Sequence, residues 1–140
     1  MIQKAIKAIL KANAPFLAAV GTYTTTSGAE IKAFPAGYVP EGIPLPFCSY
    51  QLNNSVPYTT KQNVSDQDND SVTVTVYERN YDDVMNLALL ARTALENQSG
   101  TFNGVIVESI EFMSWNDDYV MIGDQPAFLY RIEFDCFNYK

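Results

Sequence analysis

The chain has 140 residues, of which 47% are hydrophobic and 18% are charged, a composition typical of a soluble globular protein. This length suits one domain with a hydrophobic core, which we predict over residues 1–140. The net charge of −7 argues against a DNA-binding surface, because affinity for phosphates comes from clustered lysine and arginine. No apolar run approaches the ~20 residues that a membrane span needs, so no membrane contact is expected.

The N-terminal segment is predicted to be a helix over residues 2–13. Its apolar positions recur at helical spacing, and they are Ile2, Ile6, Ile9 and Leu10. Lys4, Lys7 and Lys11 lie on another face. A solvated helix face is the simplest interpretation of this lysine stripe. Because these lysines are spread through the apolar positions, we expect no export signal, and therefore a cytosolic protein.

Residues 21–46 hold four prolines and four glycines and are predicted to form a long arm. The stretch EIKAF within them is a candidate short strand. A connection this long is uncommon in a compact domain and is often functional. Two interpretations remain open: a surface loop, or an arm that reaches a neighbouring subunit.

The remaining segments predict an α+β fold in the order α-β-β-α-β-β. We expect an antiparallel sheet with two main helices on one face. The predicted elements are strands at 47–56, 71–78, 104–115 and 128–139, a polar and turn-rich segment at 57–70, a helix at 81–97 capped by Asn80 and stopped by Gly100, and a loop or small hairpin at 116–126.

The stretch DQDNDSVTVTVYE, residues 66–78, is close to a calcium-binding loop. That loop needs glycine at its sixth position and glutamate at its twelfth, where this chain has Ser71 and Tyr77. The alternation of Val72, Val74 and Val76 indicates a strand instead. We therefore expect no calcium site. Asp66, Asp68 and Asp70 are predicted to form an acidic loop before this strand.

No catalytic constellation is present in the sequence. Histidine is absent, and only two cysteines occur, which rules out His-based nucleophilic sites and a four-ligand cysteine zinc site. Cys48 and Cys136 are expected to be buried small hydrophobes. The acidic pairs have structural explanations, since Glu108 and Glu111, for example, are predicted on opposite faces of a strand. We expect a non-enzymatic protein with no catalytic residue, cofactor or metal.

Two stretches, PLPFCSYQLNNSVPYT and DSVTVTVYERNYDDVMNLALLARTALE, resemble the tail completion family of long-tailed phages. That family includes tail terminator and neck proteins. The ending YRIEFDCFNYK also fits, so that the resemblance covers nearly the whole chain. The other positions that fit the family pattern are Ile31, Pro35, Leu45, Pro46, Phe47, Tyr50, Gln51, Val72, Val74, Val76, Tyr77, Tyr81, Leu87, Ala88, Arg92, Ala94 and Leu95.

The resemblance implies a virion protein of a phage or prophage, made in the host bacterial cytoplasm and located in the tail or neck. Its copies would form a ring, usually six-fold, that caps the tail tube and joins it to the head–tail connector protein. DNA would pass through without specific binding. The alternatives are a neck adaptor on the same fold and, from another class, a small enzyme or ligand-binding domain.

Candidate assembly residues follow from charge and aromatic content. An acidic channel repels DNA phosphates, so the predicted loop of Asp66, Asp68 and Asp70 is a candidate for a pore or tube-facing edge. A ring joins unlike surfaces of successive copies. The candidate subunit-interface residues are Lys4, Lys7, Lys11, Tyr38, Trp115 and Tyr119.

Overall fold

The computed structural model describes residues 1–59 and 64–139, with the side chains of 58, 59 and 64–66 left out. Within these residues, the fold is α+β, with three helices and a curled, mostly antiparallel sheet. The helices are α1 (Ile2–Ala12), α2 (Ala14–Val20) and α3 (Tyr81–Leu95). The strands are β1 (Thr22–Thr25), β2 (Gly28–Ile31), β3 (Ala33–Pro35), β4 (Phe47–Thr59), β5 (Val64–Glu78), β6 (Gly100–Phe102), β7 (Val105–Ile122) and β8 (Gln125–Tyr139).

The main sheet has the strand order β3-β4-β5-β8-β7-β6, and β1 pairs only with β2 in a separate ribbon. All neighbours in the main sheet are antiparallel except β3 and β4. The predicted element order was incomplete, since it lacked α2, β1 and β6, whereas the candidate strand EIKAF overlaps β2 and β3. These elements have three to seven residues, too few for a hydrophobic period to be recognised.

One hydrophobic cluster joins the helices to the sheet. The alternation predicted in β5 is confirmed, since Val72, Val74 and Val76 are fully buried in this cluster. Ile132 and Phe134 of β8 are buried with them. Burying each such side chain contributes about 1.5–3 kcal/mol relative to leaving it exposed.

The first two helices meet at Asn13. This residue ends α1 and caps α2, where its Oδ1 accepts a hydrogen bond of 3.0 Å from the backbone N–H of Phe16. Pro15 lies in the first turn of α2. Backbone N–H groups of a first turn make no hydrogen bond within the helix, so the N–H that proline lacks is not needed there. The proline therefore starts a second helix directly after the first.

Both ends of α3 differ from their predicted form. The Asn80 side chain makes no cap hydrogen bond to the backbone, and its Nδ2 instead donates to Asp83 Oδ2 at 3.0 Å. The helix ends at Leu95, before the predicted stop at Gly100, which begins β6. Asn97, at φ 64°, supplies the left-handed residue that we had expected from a glycine.

The two hairpins are much longer than predicted. Residues 57–59 and 64–70 lie in strands of the β4–β5 pair, and residues 116–122 continue β7. The prediction of a turn-rich segment at 57–70 was therefore wrong for the described residues. Of the two alternatives predicted at 116–126, the hairpin is confirmed, since residues 116–122 pair with residues 125–131. In these stretches both strand faces are polar or exposed, so the sequence lacks the alternation that marks a half-buried strand.

The predicted arm at 21–46 is partly regular. Its first half forms β1, β2 and β3, and Ile31 and Ala33 are buried in the core cluster. The Lys32 side chain donates from Nζ to the carbonyl of Pro44 at 3.3 Å, and desolvation lowers the pKa of this lysine. None of the described helices is long and apolar enough to cross a membrane.

Candidate functional site

Residues 113–128, where β7 and β8 run to their shared turn, form a hairpin arm. Only residues 119–127 extend past the end of β5, because β5 pairs with β8 as far as Phe128, which lies opposite Glu78. Most side chains of the arm are exposed, with Tyr119 at 68% and Met121 at 58%. Tyr119, Val120 and Met121 are consecutive in a strand, so they point alternately to its two faces. The arm therefore exposes apolar side chains on both of its faces.

The base of the hairpin arm is fastened to α3 by an aromatic and cationic stack. The Arg92 guanidinium lies 3.6 Å from the ring centre of Phe112 and 4.9 Å from that of Trp115. Trp115 also meets Phe112 and Tyr130 edge to face, at 5.3 and 5.9 Å. Arg92 is held in turn by a 3.2 Å ion pair with Glu96, one helical turn onward.

A second fastening lies where α3 begins. The Tyr81 hydroxyl donates to Asp117 Oδ2 at 2.7 Å, and its ring meets Phe128 edge to face at 5.6 Å. Hydrogen bonds with Tyr130 and Asp117 raise the pKa of Tyr81. Across the opposite face, Arg131 pairs with Asp118 at 3.4 Å. The contacts of Tyr81 fix the direction of the arm relative to α3, whereas the exposed ion pair of Arg131 and Asp118 contributes little.

The predicted lysine stripe lines a groove of about 1190 Å³ between α1 and the β3–β4 edge, which we call the lysine groove. Lys4 and Lys11 are exposed, and Lys7 is half-buried. Within the described part of the chain, none of the three forms an ion pair. Apolar surface contributes to the lining through Ala8, Pro35, Ala36, Tyr50 and Leu52.

The structure groups the candidate interface residues into two places. Lys4, Lys7 and Lys11 line the groove, and Trp115 and Tyr119 lie on the hairpin arm. Tyr38 is 78% exposed and follows Pro35–Gly37 of the groove lining. Whether these residues contact another subunit stays a prediction.

The acidic triplet does not form the predicted loop. Asp66, Asp68 and Asp70 lie inside β5, which is extended here because it pairs with both β4 and β8. Asp70 is only 4% exposed and accepts a 2.7 Å hydrogen bond from Asn138 Nδ2. Asp70 therefore cannot line a pore in this conformation, and the side chain of Asp66 lies outside the described residues.

The cysteines and acidic pairs have structural explanations. Cys48 and Cys136 are free and buried, and burial raises the pKa of both thiols, that of Cys136 to about 12. A bulge between Val107 and Ser109 shifts the strand alternation, so Glu108 and Glu111 are both exposed, contrary to the predicted opposite faces. Among the described residues, no group of three or more metal-ligating side chains occurs.

The sequence patterns did not single out several surface residues that the structure exposes. Tyr81, Met85 and Leu89 are exposed on α3, and their four-residue spacing was a usable signal. They lie outside the buried stripe of this helix, which consists of Val84, Leu87, Ala88, Ala91, Ala94 and Leu95. Val120 and Met121 were assigned to a loop or small hairpin, without a role. The contacts of Arg92 depend on the packing of α3 against β7, which no local pattern reveals.

No protein-family model matches the chain, and no curated protein matches its sequence. Its fold is similar to that of a chain in the solved structure "Virion of native gene transfer agent (GTA) particle". The TM-score is 0.76 at 17% sequence identity, and the likeness covers 99% of this chain and 95% of that chain. This likeness shows a shared fold along the whole length.

Proposed function

We propose that this chain is a non-enzymatic structural subunit of a phage-like virion. The observation that carries this proposal is the likeness, over 99% of the chain, to a chain of a gene transfer agent virion. The exposed apolar hairpin arm supports it, since large exposed apolar surfaces mark sites of protein contact. β6 pairs with β7 only at residues 105–107, so most of the outer edge of β7 has no strand partner among the described residues. Such an edge favours pairing or aggregation, and assembly would cover it.

Within such a virion, we propose that the chain is a tail completion protein. Its copies form a ring, six-fold by the resemblance, that caps the tail tube and joins it to the head–tail connector. The sequence motifs in β5 and α3 support this role. The protein would be made in the host cytoplasm and end in the tail or neck of the particle.

The experiment adds the purified chain to tail tube protein while tubes are growing. A terminator stops elongation and is seen by electron microscopy at tube ends. A neck adaptor leaves elongation unchanged and binds the purified connector instead. A strict monomer that binds neither tube nor connector would contradict a role in the tail or neck.

We further propose that the ring has an acidic lumen through which DNA passes without specific binding. The support is the excess of 16 acidic over 9 basic residues, because a negative wall repels phosphate at close range. Asp70 has no part in this lumen, since it is buried. A ring structure whose pore is lined by lysine and arginine would refute the idea.

A further inference from the structure

We propose that the hairpin arm of one copy inserts into the lysine groove of a second copy. This inference rests on the proposed ring, and it names the two surfaces that join successive subunits. Ring contacts are heterologous, so a surface of one copy must fit a different surface of the next. The arm and the groove are such a pair, because their charges and shapes are complementary.

The two surfaces carry opposite charge. The hairpin arm contains Asp117, Asp118 and Asp124 and no basic residue. Arg131 pairs with Asp118, which leaves Asp117 and Asp124 without an ion pair in the described part of the chain. The lysine groove contains Lys4, Lys7 and Lys11, with Glu30 as its one acidic lining residue. Because these lysines have no ion-pair partner in the described part of their own chain, their charges are available to a second copy. Such complementarity steers docking and fixes register.

The shape of the arm calls for a concave partner. Tyr119 and Met121 are exposed on one face of the strand, and Val120 is exposed on the other. A flat partner would bury only one of these faces, whereas a groove encloses both. The lysine groove is such a concavity, and its apolar lining at Ala8 and Leu52 would receive these side chains.

One chain cannot make this contact with itself. The groove lies beside β4, and the arm belongs to β7 and β8, with β5 between β4 and β8. Asn103, at the β7-proximal end of the groove, precedes β7 by two residues. The arm tip is at the far end of this 18-residue strand, which is at most about 60 Å long at ~3.3 Å per residue. The arm therefore reaches only the groove of another copy.

The test reverses the charges on each side separately. The groove variant is Lys7→Glu with Lys11→Glu, and the tip variant is Asp118→Lys with Asp124→Lys. Asp118 pairs with Arg131 and accepts a hydrogen bond from the backbone N–H of Tyr119. Because this ion pair is exposed, the charge reversal should change the free energy of unfolding little. Circular dichroism checks the fold, and sedimentation measures assembly alone and with tail tubes.

Each variant alone is expected to lose self-association by about a hundredfold, because like charges then face each other. An equimolar mixture should regain assembly with strictly alternating subunits. In that mixture, the acidic tip of one variant meets the native groove, and the basic tip of the other meets the acidic groove. The matched control, Glu41→Lys with Glu111→Lys, changes the net charge as the tip variant does and should assemble like the wild type.

The outcomes separate this contact from the proposed function. If wild-type rings cap tubes while both variants assemble normally, or if the mixture fails to recover, the arm–groove contact is wrong and the proposed function stands. If the mixture recovers but the wild type caps no tube, the contact stands and the proposed function fails. A wild type that stays monomeric alone and on tubes overturns both.

Disulfide trapping gives a second readout. Met121→Cys in one copy and Ala8→Cys in another should form a mixed disulfide dimer on oxidation, since both sites are accessible. The native cysteines are buried and should add no background. Val56→Cys, exposed on β4 away from the groove lining, is the control partner. A dimer with Val56→Cys as abundant as with Ala8→Cys would overturn the contact.

Discussion

Replacing Arg92 with alanine tests how the hairpin arm is held to the body. The Arg92 guanidinium stacks at 3.6 Å on Phe112 and at 4.9 Å on Trp115, and it pairs with Glu96. Alanine removes the stack and the ion pair together. Since this stack joins α3 to β7, its loss should both destabilise the fold and loosen the base of the arm.

The size of the effect follows from these contacts. The Arg92 and Glu96 side chains are 29% and 32% exposed. The cation–π stack of Arg92 is therefore intermediate between a fully exposed and a fully desolvated cation–π contact, and it contributes about 1–1.5 kcal/mol. The helical ion pair adds about 0.3–0.5 kcal/mol. Arg92→Ala should therefore lower the free energy of unfolding by about 1.5–2 kcal/mol. Glu96→Gln, the matched control, removes only the ion pair.

Urea denaturation measures both variants, and fluorescence reports on the same place because Trp115 is the only tryptophan. Arg92→Ala should shift the emission of the folded state, whereas Glu96→Gln should leave it nearly unchanged. Arg92→Lys should fall between them, since it keeps the charge and loses the planar stack. If Arg92→Ala costs no more than Glu96→Gln, the stack does not hold the arm.

Three further predictions concern buried residues of the fold. Phe134→Ala should destabilise the fold by about 3–5 kcal/mol in urea, because the side chain is fully buried. Asp70→Ala should lower the free energy of unfolding by about 1–3 kcal/mol by leaving the Asn138 amide unpaired, and Asp70→Asn, which keeps an acceptor, should cost less. Because burial raises the pKa of Cys48 and Cys136, stability should fall as pH rises above about 8.5, where unfolded thiols ionise. A double alanine variant should show a shallower fall in alkaline denaturation curves.

The central strand and the last helix were predictable because their patterns are local. Val72, Val74 and Val76 alternate in β5, and the buried stripe of α3 repeats at helical spacing. Each pattern can therefore be recognised within a short stretch of sequence. The structure buries both sets. The lysine stripe was found in the same way, although its place beside β3 and β4 was not.

The long hairpins were not predictable from the same reasoning. Every residue from 113 to 122 is exposed or half-buried. The stretch therefore has no hydrophobic period that would separate a core face from a solvent face. Bulges at 107–109 and 112–114 also shift the alternation. The arm and the groove arise from pairing between segments far apart in the chain, which composition and spacing do not encode.

Electron microscopy of the purified chain mixed with growing tail tubes is the most direct test of the proposed function. We expect closed rings at tube ends, tubes that stop growing, and density from the hairpin arm of each subunit on the lysine groove of its neighbour. Tubes that grow to their usual length with bare ends would contradict the proposed function.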